Sequence, residues 1–293
     1  MEERINFFPK KVVIEVSART CRNFIMDTCL DDFMDYMFLY NSFTMSAYLD
    51  EKMDLFQEYL DCGEKGELLI GIPVLIYGKS GSGKSRSLKN FAPDEIFLIN
   101  VVGKRLPFPG TFRYQMKTDS YQTITTGLQK MPTKTAVIDD AGYLLTNTFM
   151  KGHSAPKAGS STFDLYNDIA DNFWRLLMFI QAQIPEDVIV YILMHETTSD
   201  FGETKLRTIG KLLDEKVCIE GMVTICLRCM VEGDRHFFRT QSNGMDISKS
   251  PEEMFDLEIE NDLKFVDQRI REYWGLSTVP AEGKRGSSEP EAI

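Results

Sequence analysis

Long hydrophobic runs are missing from this 293-residue chain, and no stretch of 18 consecutive apolar residues occurs. That excludes an apolar helix long enough to span a membrane. Positive charge is also scarce. Lys and Arg number 33 against 44 Asp and Glu, a net charge of −11. An acidic chain is not a general nucleic-acid binder, so any DNA or RNA contact would need a local basic patch. The first residues, Met-Glu-Glu-Arg-Ile-Asn, lack the basic-then-apolar order of a signal peptide. Cysteines are few and scattered: Cys21, Cys29, Cys62, Cys218, Cys226 and Cys229. They do not form a disulfide scaffold for a chain of this length, and a reducing, cytoplasmic setting is expected. Cys226 and Cys229 make one C-x-x-C, but no second such pair and no H-x-x-x-H completes a zinc set. On a strand, residues three apart face opposite ways, so the two read as structural thiols.

What is present is an ordinary globular composition, 43% hydrophobic and 26% charged, enough for one large domain plus an accessory region. Within it, residues 78–85 read Gly-Lys-Ser-Gly-Ser-Gly-Lys-Ser. This is a complete G-x-x-x-x-G-K-[ST] phosphate loop. Its residues Gly78, Lys79, Ser80, Gly81, Ser82, Gly83, Lys84 and Ser85, with Arg86 beside them, are the expected binding set for ATP. Glycines let successive backbone N–H groups turn inward on a polyphosphate. Lys84 would carry charge to the terminal phosphates, and Ser85 would offer its hydroxyl to Mg²⁺. An apolar strand over 68–77 leads into the loop. Residues 85–91 are expected as the first turns of a helix whose N-terminal dipole adds to the anion site.

The rest of the chain alternates. Residues 1–66 form an accessory region with a strand near 11–16, helices within 31–60 and a connector at 61–66. An ATPase core follows over 67–256. Strands are expected at 95–102, 135–139 and 188–194, a proline-containing loop at 104–111, and helices at 119–130 and 161–184. In the longer helix Phe163, Tyr166, Ile169, Phe173, Leu176, Leu177, Ile180 and Ile184 recur at three- and four-residue steps. Near-continuous apolar strands between helices predict an α/β fold with a mostly parallel sheet covered on both faces. An antiparallel extension is expected from strands at 217–231 and 235–241. Residues 251–274 read as helical, with a C-terminal helix over 257–277 and a disordered tail at 278–293.

The strand Ala136-Val137-Ile138 runs into Asp139 and Asp140. One carboxylate at a strand end beside a phosphate loop holds Mg²⁺. Asp139 is assigned that place, and Asp140 the positioning of an attacking water. The next strand ends Met194-His195-Glu196. In hydrolytic phosphate-loop folds this strand is expected between the loop strand and the Asp139 strand, which would aim His195 at the terminal phosphate as a sensor. Glu196 is the alternative water-positioning acid.

With these elements the chain resembles the bacteriophage nucleotide-binding ATPases of the RecA-like AAA group, over about residues 68–256. Further shared phrases are Ile99-Asn100-Val101-Val102-Gly103-Lys104-Arg105-Leu106-Pro107-Phe108, residues 208–216 and residues 237–244. Some members of that group look like single-strand-annealing recombination ATPases. The resemblance implies a RecA-like fold, a viral origin with the host cytoplasm as location, and a part in phage DNA metabolism. It also implies head-to-tail homo-oligomers in which Arg207, Arg228 or Lys249 reaches a neighbour's nucleotide. Single-stranded DNA would be met by two loops, 146–160 and 197–208. The first contains Lys151 and Lys157 and no acid. Two other readings remain open: a switch that binds a phage or host protein through the Met- and aromatic-rich N-terminal region, and a small-molecule or nucleotide kinase.

Overall fold

A computed structural model describes residues 71–153, 162–209 and 217–276. The chain divides between Glu67 and Leu68, and the description concerns the second unit. Expectations for residues 1–66 and for the tail at 278–293 lie outside the described residues, as do Cys21, Cys29 and Cys62.

Among the described residues the strands number nine: β1 Ile72–Gly78, β2 Phe97–Asn100, β3 Tyr114–Lys117, β4 Thr135–Asp139, β5 Ile189–Thr198, β6 Thr204–Leu206, β7 Ile225–Glu232, β8 Arg235–Arg239 and β9 Glu258–Glu260. Their order is β3-β2-β4-β5-β1-β7-β8-β9, with β6 paired to β5. From β3 through β7 every neighbouring pair is parallel; β7–β8 and β8–β9 are antiparallel. The fold is therefore α/β, with a mostly parallel mixed sheet flanked by helices and an antiparallel C-terminal edge. β5 does lie between β1 and β4.

Alternation along each strand divides the core. Leu75, Tyr77, Ile99 and Ile138 face one layer and Val74, Ile76, Leu98 and Val137 the other. The first layer is closed by α1 Tyr121–Lys130, α2 Gly142–Gly152 and α3 Thr162–Gln183; the second by α4 Leu263–Trp274. Ile169, Phe173, Leu176, Leu177 and Ile180 of α3 are buried, as their spacing requires. Ser120 caps α1 and Asp262 caps α4, each accepting from backbone N–H groups of the first turn. Cys226 and Cys229 in β7 are buried on opposite sides of the sheet, and no metal-binding cluster occurs among the described residues.

Several elements differ from expectation. After the phosphate loop the chain makes only a six-residue 3-10 turn, Ser85–Asn90. Phe91 is already extended, and Pro93 disfavours helical geometry at Ala92. The helix-dipole contribution expected there is correspondingly small. β3 was not foreseen; it is a short, half-exposed edge strand. The strand expected at 217–231 begins at Ile225, after a 3-10 turn Ile219–Met222. The helix expected from 251 begins at Leu263, with β9 before it.

At the amino ends of β4 and β5, α4 inserts a buried ion pair. Arg271 Nε donates to Asp267 Oδ2 at 2.8 Å, and its other nitrogens donate to the carbonyls of Asp187 and Lys134 at 2.9 and 2.7 Å. Asp267 Oδ1 also accepts from Thr135 Oγ1 and the Tyr191 hydroxyl. Burial raises the Asp267 pKa despite the opposing pull of Arg271. Arg271→Ala should cost about 3–5 kcal/mol, because it leaves a buried carboxylate uncompensated. Asp267→Asn should cost less, because Arg271 keeps two carbonyl acceptors. Urea denaturation of the two variants checks the order.

Candidate functional site

The phosphate loop lies at the carboxyl end of β1, the edge where open α/β sheets bind ligands. Register brings the other residues level with it: Gly78 pairs with His195 of β5, and Asn100 of β2 pairs with Asp139 of β4. Lys84, Ser85, Asp139, Asp140 and His195 therefore meet at one place.

Lys84 is 6% exposed. Its ammonium donates to the carbonyls of Gly78 and Lys79 at 2.8 and 2.9 Å and to His195 Nδ1 at 3.3 Å. An ammonium has no lone pair, so Nδ1 accepts and the ring proton sits on Nε2. Burial lowers the Lys84 pKa. Among the described residues, the N–H groups of Gly81, Gly83 and Lys84 meet no acceptor, and the buried Ser82 hydroxyl has no partner. Unmatched donors around a buried cation suit a polyphosphate. Lys79 and Ser80 are exposed at the rim.

The loop is braced from the antiparallel edge. The Ser82 carbonyl accepts from His236 Nδ1 at 2.7 Å and from the Cys229 thiol at 3.2 Å. Asn261 donates to Cys229 Sγ and accepts from Arg86. Two glycines make this approach feasible. A Cβ on Gly78 would fall 2.3 Å from the Cys229 carbonyl oxygen. Gly83 has φ of 108°, and a Cβ there would fall 2.9 Å from His236 Nδ1. Nothing in the sequence ties these three residues to the loop, because Cys229, His236 and Asn261 lie far from Ser82 in the chain.

Ser85 Oγ donates to Asp139 Oδ1 at 2.8 Å. A hydroxyl and a buried carboxylate side by side are hard oxygen donors that fit Mg²⁺. Burial, and then the adjacent Asp140 charge, raises the Asp139 pKa; a cation would relieve both. Asp140 goes the other way. Burial pushes its pKa up, but His195 and Lys104 outweigh it and the net shift is down. His195 Nε2 lies 3.6 Å from Asp140 Oδ1. Lys104 Nζ lies 2.5 Å from Oδ2, an ion pair. Asp140 also holds φ at 60°, a left-handed conformation that Asp tolerates better than most residues. Lys104 was not singled out in the sequence, since nothing in its spacing ties it to Asp140.

Other expected residues are placed differently. Glu196 has both oxygens engaged by Arg228, at 2.9 and 3.0 Å, and its side chain is 3% exposed. Arg228 also reaches Asp246 and Thr204. Arg207 is exposed beyond β6, and Lys249 forms a backbone bridge with Cys226. The segment expected as an acid-free basic loop is helical through Gly152. Lys151 is ion-paired to Asp119 at 2.6 Å; residues 154–160, including Lys157, lie outside the described residues. The second expected loop, 197–208, is a hairpin. Thr197 pairs with Lys205 and Thr198 with Thr204.

The opposite shifts of Asp139 and Asp140 predict opposite stability effects. A carboxyl whose folded pKa is raised costs stability at neutral pH, and that cost disappears as pH falls. Asp139→Asn should therefore stabilise the ligand-free protein at pH 7. A depressed pKa stabilises above the unfolded value of about 3.9 and is lost as pH falls through the folded one. Asp140→Asn should therefore destabilise the protein at pH 7, with the difference vanishing in acid. Thermal unfolding of both variants at pH 7 and in acid below the folded pKa of Asp140 tests the signs.

No family model matches this chain and no curated protein matches its sequence, so a functional reading rests on the chemistry of this site.

Proposed function

We propose that the chain is a Mg²⁺-dependent P-loop ATPase of RecA-like architecture that converts ATP and water to ADP and phosphate. The observation that carries this reading is the meeting of Lys84, Ser85, Asp139, Asp140 and His195 at the carboxyl edge of the sheet. Lys84 exchanges the carbonyls of Gly78 and Lys79 for phosphate oxygens. Ser85 and Asp139 hold Mg²⁺, which supplies neutralisation of phosphate charge. Asp140 has a depressed pKa, so it is a hydrogen-bond acceptor that orients water more than a strong base. His195 joins Lys84 to Asp140 and so couples the phosphate-binding cation to the water-positioning acid. Glu196 is held by Arg228 and leaves the water-positioning role to Asp140.

Lys84→Ala should lower turnover by about 100-fold or more, the scale set by losing one preorganised charged donor. Asp139→Asn should abolish the Mg²⁺ dependence of nucleotide binding. Phosphate release and nucleotide titration with and without Mg²⁺ are the measurements. A folded Lys84→Ala protein with normal turnover would refute the reading.

A role on single-stranded DNA, as in phage recombination, is supported by one observation. Phe201 at the tip of the β5–β6 hairpin is 90% exposed, with Lys205 and Arg207 exposed nearby. An aromatic beside cations suits base stacking and phosphate contact. Phe201→Ala should weaken single-strand binding by about 1–3 kcal/mol, the usual worth of one stacked base, and leave ATP binding intact. Fluorescence anisotropy with a labelled oligonucleotide decides it.

A further inference from the structure

Lys104 stands outside the phosphate loop, yet its ammonium reaches the centre of the site. The loop that bears it is fixed at both ends of its turn. Asn100 Nδ2 donates to the Lys104 carbonyl at 2.7 Å, the Gly103 N–H donates to Asn100 Oδ1 at 2.6 Å, and the Val101 N–H donates to the Asp139 carbonyl at 3.2 Å. The backbone is thus tied to the carboxyl ends of β2 and β4, while the Lys104 side chain is 50% exposed and rests on Asp140 through one ionic contact. A chain of contacts runs Lys104, Asp140, His195, Lys84. Two ammonium groups bracket one histidine and one carboxylate.

We propose that Lys104 is a catalytic residue that leaves Asp140 for the terminal phosphate, and that it supplies within one subunit the cation otherwise expected from a neighbour. The proposal rests on the ATPase reading. An anion seated on Lys84 lies one histidine away from Asp140, and its charge repels that carboxylate unless a cation moves with it. Lys104 is the cation in contact with Asp140, on a flexible stem anchored by a pinned backbone. Its transfer does two things at once. It bares Asp140 Oδ2 to accept a hydrogen bond from water, and it neutralises the oxygens of the phosphorus under attack. The water oxygen then bonds to that phosphorus and the bond to the bridging oxygen breaks. The bridging oxygen leaves with its electron pair on ADP, and the water proton passes to a phosphate oxygen while Asp140 holds the water in line by accepting its hydrogen bond. In the ligand-free protein the same lysine keeps Asp140 masked. Arg228, one of the cations that the resemblance implies for a neighbour's nucleotide, is committed to Glu196 and Asp246.

The test is turnover and ADP affinity of full-length wild type, Lys104→Met and Lys104→Arg, measured over a range of protein concentrations. Lys104→Met keeps the stem and should lower kcat by about 100-fold or more, with ADP affinity nearly unchanged. Lys104→Arg should recover part of the loss, which a mere packing role would not require. Equimolar mixing of Lys104→Met with Lys84→Ala separates the two geometries. Each variant retains the residue the other lacks, so mixing restores activity if Lys104 acts across subunits and does not if it acts within its own. Normal turnover of Lys104→Met, or recovery on mixing, overturns the assignment while leaving the ATPase reading standing. Wild-type protein without turnover overturns both.

Discussion

The parallel ladder between β1 and β5 is the constraint on which the site depends. Seven residues of each strand run in register from Ile72 against Ile189 to Gly78 against His195. A parallel ladder has evenly spaced, slanted hydrogen bonds and no hairpin to set its register. What sets it is the alternating burial of both strands between two helical layers, because a slip by one residue would turn every side chain to the wrong face. A shift of two residues would keep the faces but move His195 some two residues' length from Lys84 and sever its link to Asp140. The position of the chemistry is therefore a consequence of core packing several residues below it.

The charges at the sheet edge form a closed set. Lys84 and Lys104 face Asp139 and Asp140, and His195 joins the two pairs. Buried groups of either sign are costly alone and tolerable together. The set is balanced as it stands, with each ammonium resting on a protein oxygen. On the proposed ATPase reading, phosphate oxygens would exchange places with those oxygens with little reorganisation of the backbone. The brace from Cys229, His236 and Asn261 holds the loop's Ser82 carbonyl away from that exchange.

Strands made of continuous apolar residues were legible in the sequence, as were the phosphate loop and the acid pair at the end of β4. Each depends on short-range information: residue type, spacing and the neighbouring strand. β3 was not legible because Tyr114–Lys117 is short, alternates at a half-exposed edge and follows a proline-containing loop. The turn after the phosphate loop was read as a helix because its motif usually opens one; Phe91 is already extended, and Pro93 disfavours helical geometry at Ala92. The polar run beginning at Thr146 reads as loop in the sequence, yet it is helical through Gly152. Its threonines bond back to carbonyls four residues earlier, and Leu144, Leu145 and Phe149 pack against the core. The contact of Lys104 with Asp140, the pairing of Arg228 with Glu196 and the brace could not be read from the sequence, because the partners lie far apart in the chain and only the folded sheet brings them together.

The position of α4 at the end of the described chain has a consequence for synthesis. Its residues Leu263, Val266 and Ile270 cover the sheet face formed by Val74, Ile76, Val137 and Tyr191, and Arg271 closes the amino ends of β4 and β5. Until residue 274 has emerged from the ribosome, α4 cannot cover that face, and Asn261 of the brace has only just appeared. The glycine-rich loop is thus translated well before the elements that brace and cover it. A nascent chain that has passed β8 but not α4 exposes apolar sheet surface of the kind that chaperones hold.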